Sequence, residues 1–310
     1  MKEIVYELNS LYRDNLRVTG YRFGGGEKTL CIIGTLRGNE IQQLYICSQL
    51  IRRLKEMQSR GLISKEKSVL VIPCINSASL NIGKRFWPTD NTDINRMFPG
   101  YSRGETTQRI AAGVFEQIKD YEYGIQFASY YMPGQFIPHV RITETGFEDV
   151  EEAKHFGLPY IITKKPKPYD TTTLNYNWQI WDCKAFSLYT SETDRIDKKS
   201  AYESIAAVFR FMEEKGICTY RGHKGSNSEV VEESALRRLK SSKAGLLDYK
   251  VEVNQMVRKN ELLAEIYDPY EGSVLEEIRA INEGIVFYIN NNPMVNSHTV
   301  IFKILEESFK

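Results

Sequence analysis

The sequence predicts an α/β protein: a sheet flanked by helices in residues 1–222, then a small all-β domain in residues 223–310. Three observations carry this. Short apolar runs alternate with helix-periodic segments through the first two-thirds of the chain. After Tyr220 the pattern changes to short strands and turns. The length, 310 residues, is too great for one small domain and suits two.

Residues 29–33 are an apolar run closed by Gly34, the mark of a buried strand. In residues 40–60, Ile41, Leu44, Tyr45, Ile51, Leu54 and Met57 fall at roughly helical spacing, and Gly61 is a stop signal past the end. Residues 68–73 read as a second buried strand. A loop punctuated by Asn, Ser, Pro and Asp follows to Gly100. Helical spacing returns in 105–119, and strand-like runs recur at 123–127, 160–163 and 185–189. In 199–215, Ile205, Val208, Phe209 and Met212 share one helix face. Such alternation implies helices on both faces of a sheet, with the functional site in loops beyond the carboxyl ends of strands. Those loops begin at Gly34, Pro73, Ala128 and Thr190. Gly24-Gly25-Gly26 precedes a strand and not a helix, so it is a turn and not a phosphate loop. Tyr130, Tyr131, Tyr169, Tyr176, Trp178 and Trp181 read as core and interface material.

Residues 221–228 are polar and read as a linker. Beyond them lies a weak repeat. Gly245-Leu246-Leu247, Met256-Val257 and Ile266 are echoed by Gly284-Ile285-Val286, Met294-Val295 and Ile304. Two such halves suggest interlocked hairpin layers, a layout that resembles the barrel-sandwich hybrid of lipoyl and biotinyl domains. Asn254 and Asn260 stand at turn positions often held by glycine, a mild exchange because Asn tolerates the left-handed conformation. No lysine sits in an acyl-carrier hairpin motif, so the module reads as a structural lid or an assembly surface.

Composition narrows the function. Lys plus Arg (41) nearly cancel Asp plus Glu (40), and the net charge of +1 gives no reason to expect nucleic acid or a membrane surface as partner. The start, Met1-Lys2-Glu3-Ile4, lacks the form of a signal peptide, and no apolar stretch approaches the ~20 residues that span a bilayer. Cys31, Cys47, Cys74, Cys183 and Cys218 are scattered and odd in number, which suits reduced thiols and a cytoplasmic protein.

Three segments carry a family resemblance. The first is Gly34-Thr35-Leu36-Arg37-Gly38-Asn39-Glu40. The second ends Pro88-Thr89-Asp90-Asn91-Thr92-Asp93-Ile94-Asn95-Arg96-Met97-Phe98-Pro99-Gly100. The third is Ile125-Gln126-Phe127-Ala128-Ser129, followed by Pro138-His139-Val140-Arg141. Together they resemble the succinylglutamate desuccinylase/aspartoacylase family, related to zinc carboxypeptidases. The resemblance implies a zinc-carboxypeptidase-like mixed sheet flanked by helices, amide-bond hydrolysis, and a catalytic zinc held by His and Glu of the first motif and His of the third. Such a zinc needs three protein donors and an open position for water. Here Arg37 stands at the first His, Glu40 is retained, and Ala128 stands at the second His. Gln126 replaces the Asp that orients a ligand. Arginine does not deprotonate in proteins and alanine offers no donor atom. The expectation is therefore no metal cofactor, with Arg37, Glu40 and Ala128 as vestigial metal positions. His139, His155, His223 and His298 read as solvated or hydrogen-bonded side chains.

The family's proton-shuttling Glu aligns most simply with Tyr189, and Glu192 lies three residues on; these two are the candidate catalytic residues. Asn95 and Arg96 match the family's carboxylate clamp, and Arg85 matches its carbonyl-polarising arginine. Arg37 adds a fixed positive charge. The alternatives are a salt bridge from Arg96 to Asp90 or Asp93, and an ion pair between Arg37 and Glu40. Three functions compete on this reading. The first is a non-hydrolytic relative, a pseudoenzyme, that binds a small carboxylate-bearing molecule such as an N-acyl amino acid. The second is a working amidohydrolase with a rebuilt or metal-free site. The third is an assembly protein forming homo-oligomers through the β module.

Overall fold

The computed structural model describes residues 1–9 and 14–306. Two compact units divide them: Met1–Ser129 with Pro138–Val230, and Tyr130–Ile137 with Val231 onward.

The first unit is a mixed α/β body. In chain order its leading elements are β1 (Lys2–Leu8), β2 (Leu16–Gly24), β3 (Glu27–Thr35), α1 (Ile41–Ser59), β4 (Lys67–Cys74), α2 (Ser77–Leu80), α3 (Thr106–Ile118) and β5 (Tyr123–Ala128). β6 (Gly134–Phe136) belongs to the second unit. The first unit resumes with β7 (His139–Thr143), α4 (Val150–Ala153), β8 (Tyr160–Lys164), α5 (Leu174–Ile180), β9 (Lys184–Tyr189) and α6 (Lys198–Glu214), and the chain leaves it through the edge strand β10 (Glu229–Glu232), whose first two residues belong to it. The strands form one nine-stranded sheet in the order β1-β2-β4-β3-β5-β9-β7-β8-β10. β4, β3, β5 and β9 are mutually parallel, as are β7 and β8. β7 runs antiparallel to β9, and β1–β2 joins β4 as an antiparallel hairpin.

The central strands are apolar throughout because both faces are covered, and alternate side chains serve opposite layers. Leu30 and Ile32 of β3 face Leu50 and Leu54 of α1 and Ile205 and Val208 of α6. Cys31 and Ile33 face Ile110 and Val114 of α3 and Trp178 of α5. The Gly24–Gly26 segment is the tight β2–β3 turn, with Gly24 at φ 71° and Gly26 at φ 66°. A Cβ at Gly24 would lie 2.2 Å from the Lys67 carbonyl oxygen, so only glycine fits.

The sequence boundary at 222/223 falls inside this unit. Residues 221–228 are not a free linker: the Ser226 amide donates to Gly157 O (2.9 Å) and Ser228 Oγ to Leu158 O (2.6 Å). The Glu229 amide then donates to Pro159 O, which starts β10 beside β8. Polar composition misled here because these side chains and amides are anchored to backbone carbonyls.

The second unit is all-β. Its remaining strands are β11 (Leu236–Lys240), β12 (Gly245–Tyr249), β13 (Met256–Val257), β14 (Leu262–Tyr267), β15 (Val274–Arg279), β16 (Gly284–Asn290), β17 (Met294–Val295) and β18 (Val300–Glu306). One sheet runs β11-β18-β16-β13 with β6 added on β16; the other runs β15-β14-β12-β17. Each repeat lends its two-residue strand to the other: β13 pairs with β16 and β17 with β12. Val257, Ile266, Val286, Val295 and Ile304 share the core between them. Asn254 (φ 70°) and Asn260 (φ 69°) adopt the left-handed conformation expected of them, and His298 (φ 64°) does so at the second repeat's place matching Asn260. Among the described residues no helix is long and apolar enough to cross a membrane.

Candidate functional site

Because β4, β3, β5 and β9 are parallel, the loops that follow them open on one edge of the sheet. The segment after β3 is folded around Glu40, which precedes α1 and is fully buried. Glu40 Oε2 accepts from the amides of Leu36 (2.9 Å) and Arg37 (3.1 Å), and Thr35 Oγ1 donates to the Glu40 carbonyl (3.0 Å). Glu40 Oε1 accepts from Arg37 Nη1 at 3.1 Å. Arg37 is itself only 6% exposed, and its Nε lies 3.0 Å from both oxygens of Asp93. Burial alone would push the guanidinium pKa down, but the charges of Glu40 and Asp93 outweigh it and hold it above its ordinary value. The cation is thus locked between two carboxylates rather than turned outward.

Asp93 is the hub of the following loop. It also accepts from the Asn95 amide (3.0 Å) and pairs with Arg85 Nη2 at 3.5 Å. With Asp93 committed to Arg37 and Arg85, and Asp90 accepting from Thr107 Oγ1 (2.5 Å), neither acid pairs with Arg96. The Arg96 guanidinium donates to the Asn95 carbonyl (3.1 Å) and lies 5.6 Å from the Tyr169 ring centroid; among the described residues it has no carboxylate partner. Asn95 Oδ1 accepts from the Leu174 amide at 3.0 Å. That bond fixes the amide's orientation and leaves Nδ2 as a donor beside Arg96.

Ala128 closes β5, nearly buried, with Tyr189 as its in-register neighbour on β9. Arg141 Nη1 donates to the Tyr189 hydroxyl (3.2 Å), and the buried His139 ring stacks on Tyr189 at 4.7 Å. Glu192 is 5% exposed in the loop beyond, after Ser191 at φ 75°. Gln43 Nε2 ties this loop to β5, donating to Ala128 O (3.3 Å), Thr190 Oγ1 (3.0 Å) and Glu192 O (3.2 Å). Gln42 Nε2 reaches Thr190 O, Asp197 O and Ser200 Oγ. Sequence reasoning missed these two glutamines, and named Asp93 only as a partner for Arg96, whereas it holds Arg37 and Arg85. A polar pair in the first turn of an apolar-faced helix was the available signal.

Arg37 and Arg85 therefore meet on Asp93, Arg37 and Glu40 form an ion pair, and Asn95 and Arg96 stand beside them on the same loop. Tyr189 groups with His139 and Arg141. A catalytic zinc would need three donors. Arg37 presents only N–H groups, both Glu40 oxygens already accept hydrogen bonds, and Ala128 has no donor, so these residues do not fit that ion. Among the described residues no three His, Cys, Asp or Glu side chains gather closely enough to hold a metal.

Comparisons with known proteins agree with the fold. An N-α-acetyl-L-2,4-diaminobutyric acid deacetylase of Halomonas elongata is 24% identical over 305 residues, covering 87% of this chain and 79% of its own length. A succinylglutamate desuccinylase/aspartoacylase structure from Rhodobacter sphaeroides matches with a TM-score of 0.80 at 17% identity, over 100% of this chain and 96% of that one. The product-bound ectoine utilization protein EutE (DoeB) from Ruegeria pomeroyi matches at 0.80 and 16% identity, over 99% and 94%. These two likenesses show the fold. The model of the succinylglutamate desuccinylase/aspartoacylase catalytic domain matches residues 26–185, more than half of the chain and all three of the motif loops, and so the chain belongs to the succinylglutamate desuccinylase/aspartoacylase family.

Proposed function

We propose that this chain is a zinc-free, non-hydrolytic member of its deacylase-like family that binds a small carboxylate-bearing molecule of the N-acyl amino acid type. The observation that carries the reading is Arg37: at the motif position where the family places a zinc-binding histidine, a guanidinium is held by Glu40 and Asp93. Asn95 Nδ2 and the Arg96 fork form the carboxylate clamp, a geometry that suits two parallel N–H donors on one carboxylate. Tyr189 and Glu192 occupy the shuttle's neighbourhood without a metal-activated water to serve. The relative from Halomonas elongata supports the N-acyl amino acid class of ligand. The interlocked repeat of the second unit supports its kinship with barrel-sandwich hybrids, in a structural role.

A panel of N-acetyl and N-succinyl amino acids tests this by calorimetry and by assay of released acid, with and without chelator. Saturable binding without turnover is expected. Arg96→Ala should weaken that binding about 10- to 100-fold, the scale of a lost charge-assisted hydrogen bond pair. Chelator-sensitive release of acid would instead establish a working amidohydrolase.

A further inference from the structure

A second basic feature lies at the opposite end of α1 from Glu40. The 19 residues of that helix separate the two by about 28 Å at 1.5 Å per residue. There, a groove of 730 Å³ opens between the last turns of α1 and the chain leaving α6. Arg52, Arg53, Arg60 and Arg221 line it, against a single acid, Glu56. Its apolar lining is Met57, Leu62, Phe209 and Tyr220, the last two rings stacked at 5.4 Å and 26°.

Two of the four arginines are accounted for by neighbours. Arg52 pairs with Glu56 at 3.3 Å, and Arg53 lies 5.1 Å from the Tyr202 ring centroid. Arg60 and Arg221 are exposed and have no carboxylate partner among the described residues. Glu213, on α6, accepts from the Tyr220 amide (3.2 Å). A favourable interaction with the carbonyl end of α1 explains one cation at Arg60, but not a second delivered from beyond another helix. Guanidinium forks from two separate segments lining one groove suit a phosphate, which such forks grip bidentately. The aromatic and thioether lining suits a flat apolar body beside it. The volume falls in the range of small-molecule sites.

We propose that this groove binds a phosphate ester carrying a flat ring system, of the nucleotide class, with Arg60 and Arg221 on the phosphate and Tyr220 and Met57 against the ring. The site is independent of the carboxylate clamp. Calorimetry on the full chain with ATP, AMP, adenosine and inorganic pyrophosphate tests it. Saturable binding of the nucleotides is expected, with adenosine and pyrophosphate each weaker. The double variant Arg60→Ser/Arg221→Ser changes two exposed side chains and should cost only the small stabilisation that a cation lends the carbonyl end of α1, leaving the protein folded, while lowering nucleotide affinity at least about tenfold. No saturable nucleotide binding, or affinity unchanged in the double variant, would overturn the proposal. Pyrophosphate binding as tightly as ATP would overturn the assignment of the ring.

Discussion

Arg37→Met is expected to lower the unfolding free energy by about 3–5 kcal/mol, the scale of removing one partner from a buried ion pair. The variant keeps the length and most of the volume of the side chain, so the loss reports charge and hydrogen bonds rather than a cavity. It leaves Glu40, fully buried, with two backbone amides as its remaining donors, and leaves Asp93 with Arg85 alone among its cations. Adding Glu40→Gln should recover part of the loss, because the orphaned charge is removed. Urea denaturation of the two single variants and the double variant measures the coupling directly. A loss below about 1 kcal/mol in Arg37→Met would mean that the pair behaves as a solvated surface contact.

Gly38→Ala should be nearly as damaging, by about 3 kcal/mol, the upper end of ordinary overpacking. A Cβ there would lie 2.2 Å from the Ser79 carbonyl carbon and oxygen and 2.4 Å from the Lys84 carbonyl oxygen. All three are backbone atoms, so no side chain can swing aside. The loop after β3 and the loop after β4 would have to separate, and Arg37 and Asp93, one on each, would separate with them. The accompanying expectation is a loss of the Arg37–Glu40 coupling energy in the Gly38→Ala background. A wild-type urea midpoint for Gly38→Ala would show that the two loops have room to part.

Much of the fold was legible because the central strands are continuous apolar runs. β3, β4, β5, β8 and β9, and helices α1, α3 and α6, all lie where apolar spacing and stop residues put them. The β1–β2 hairpin was not, since β1 is half exposed at an edge and carries no such run. α5 escaped notice for the opposite reason. Its buried positions include Asn175, Asn177 and Gln179, polar residues that no hydrophobic pattern flags. Asn177 earns its burial by donating to the carbonyls of Phe98, Thr171 and Thr173. The motif loops identified the site's neighbourhood, and the alternative in which Arg37 pairs with Glu40 is the one the geometry contains. The Arg37–Asp93 contact, across 56 residues of chain, depends on how two loops meet and leaves no local signature.

Zinc titration of the purified, chelator-treated protein tests most directly whether a guanidinium has displaced the metal. The expected result is no stoichiometric uptake at micromolar zinc, and no change in the urea midpoint on adding it. One tightly held equivalent of zinc, lost in Glu40→Ala, would contradict it.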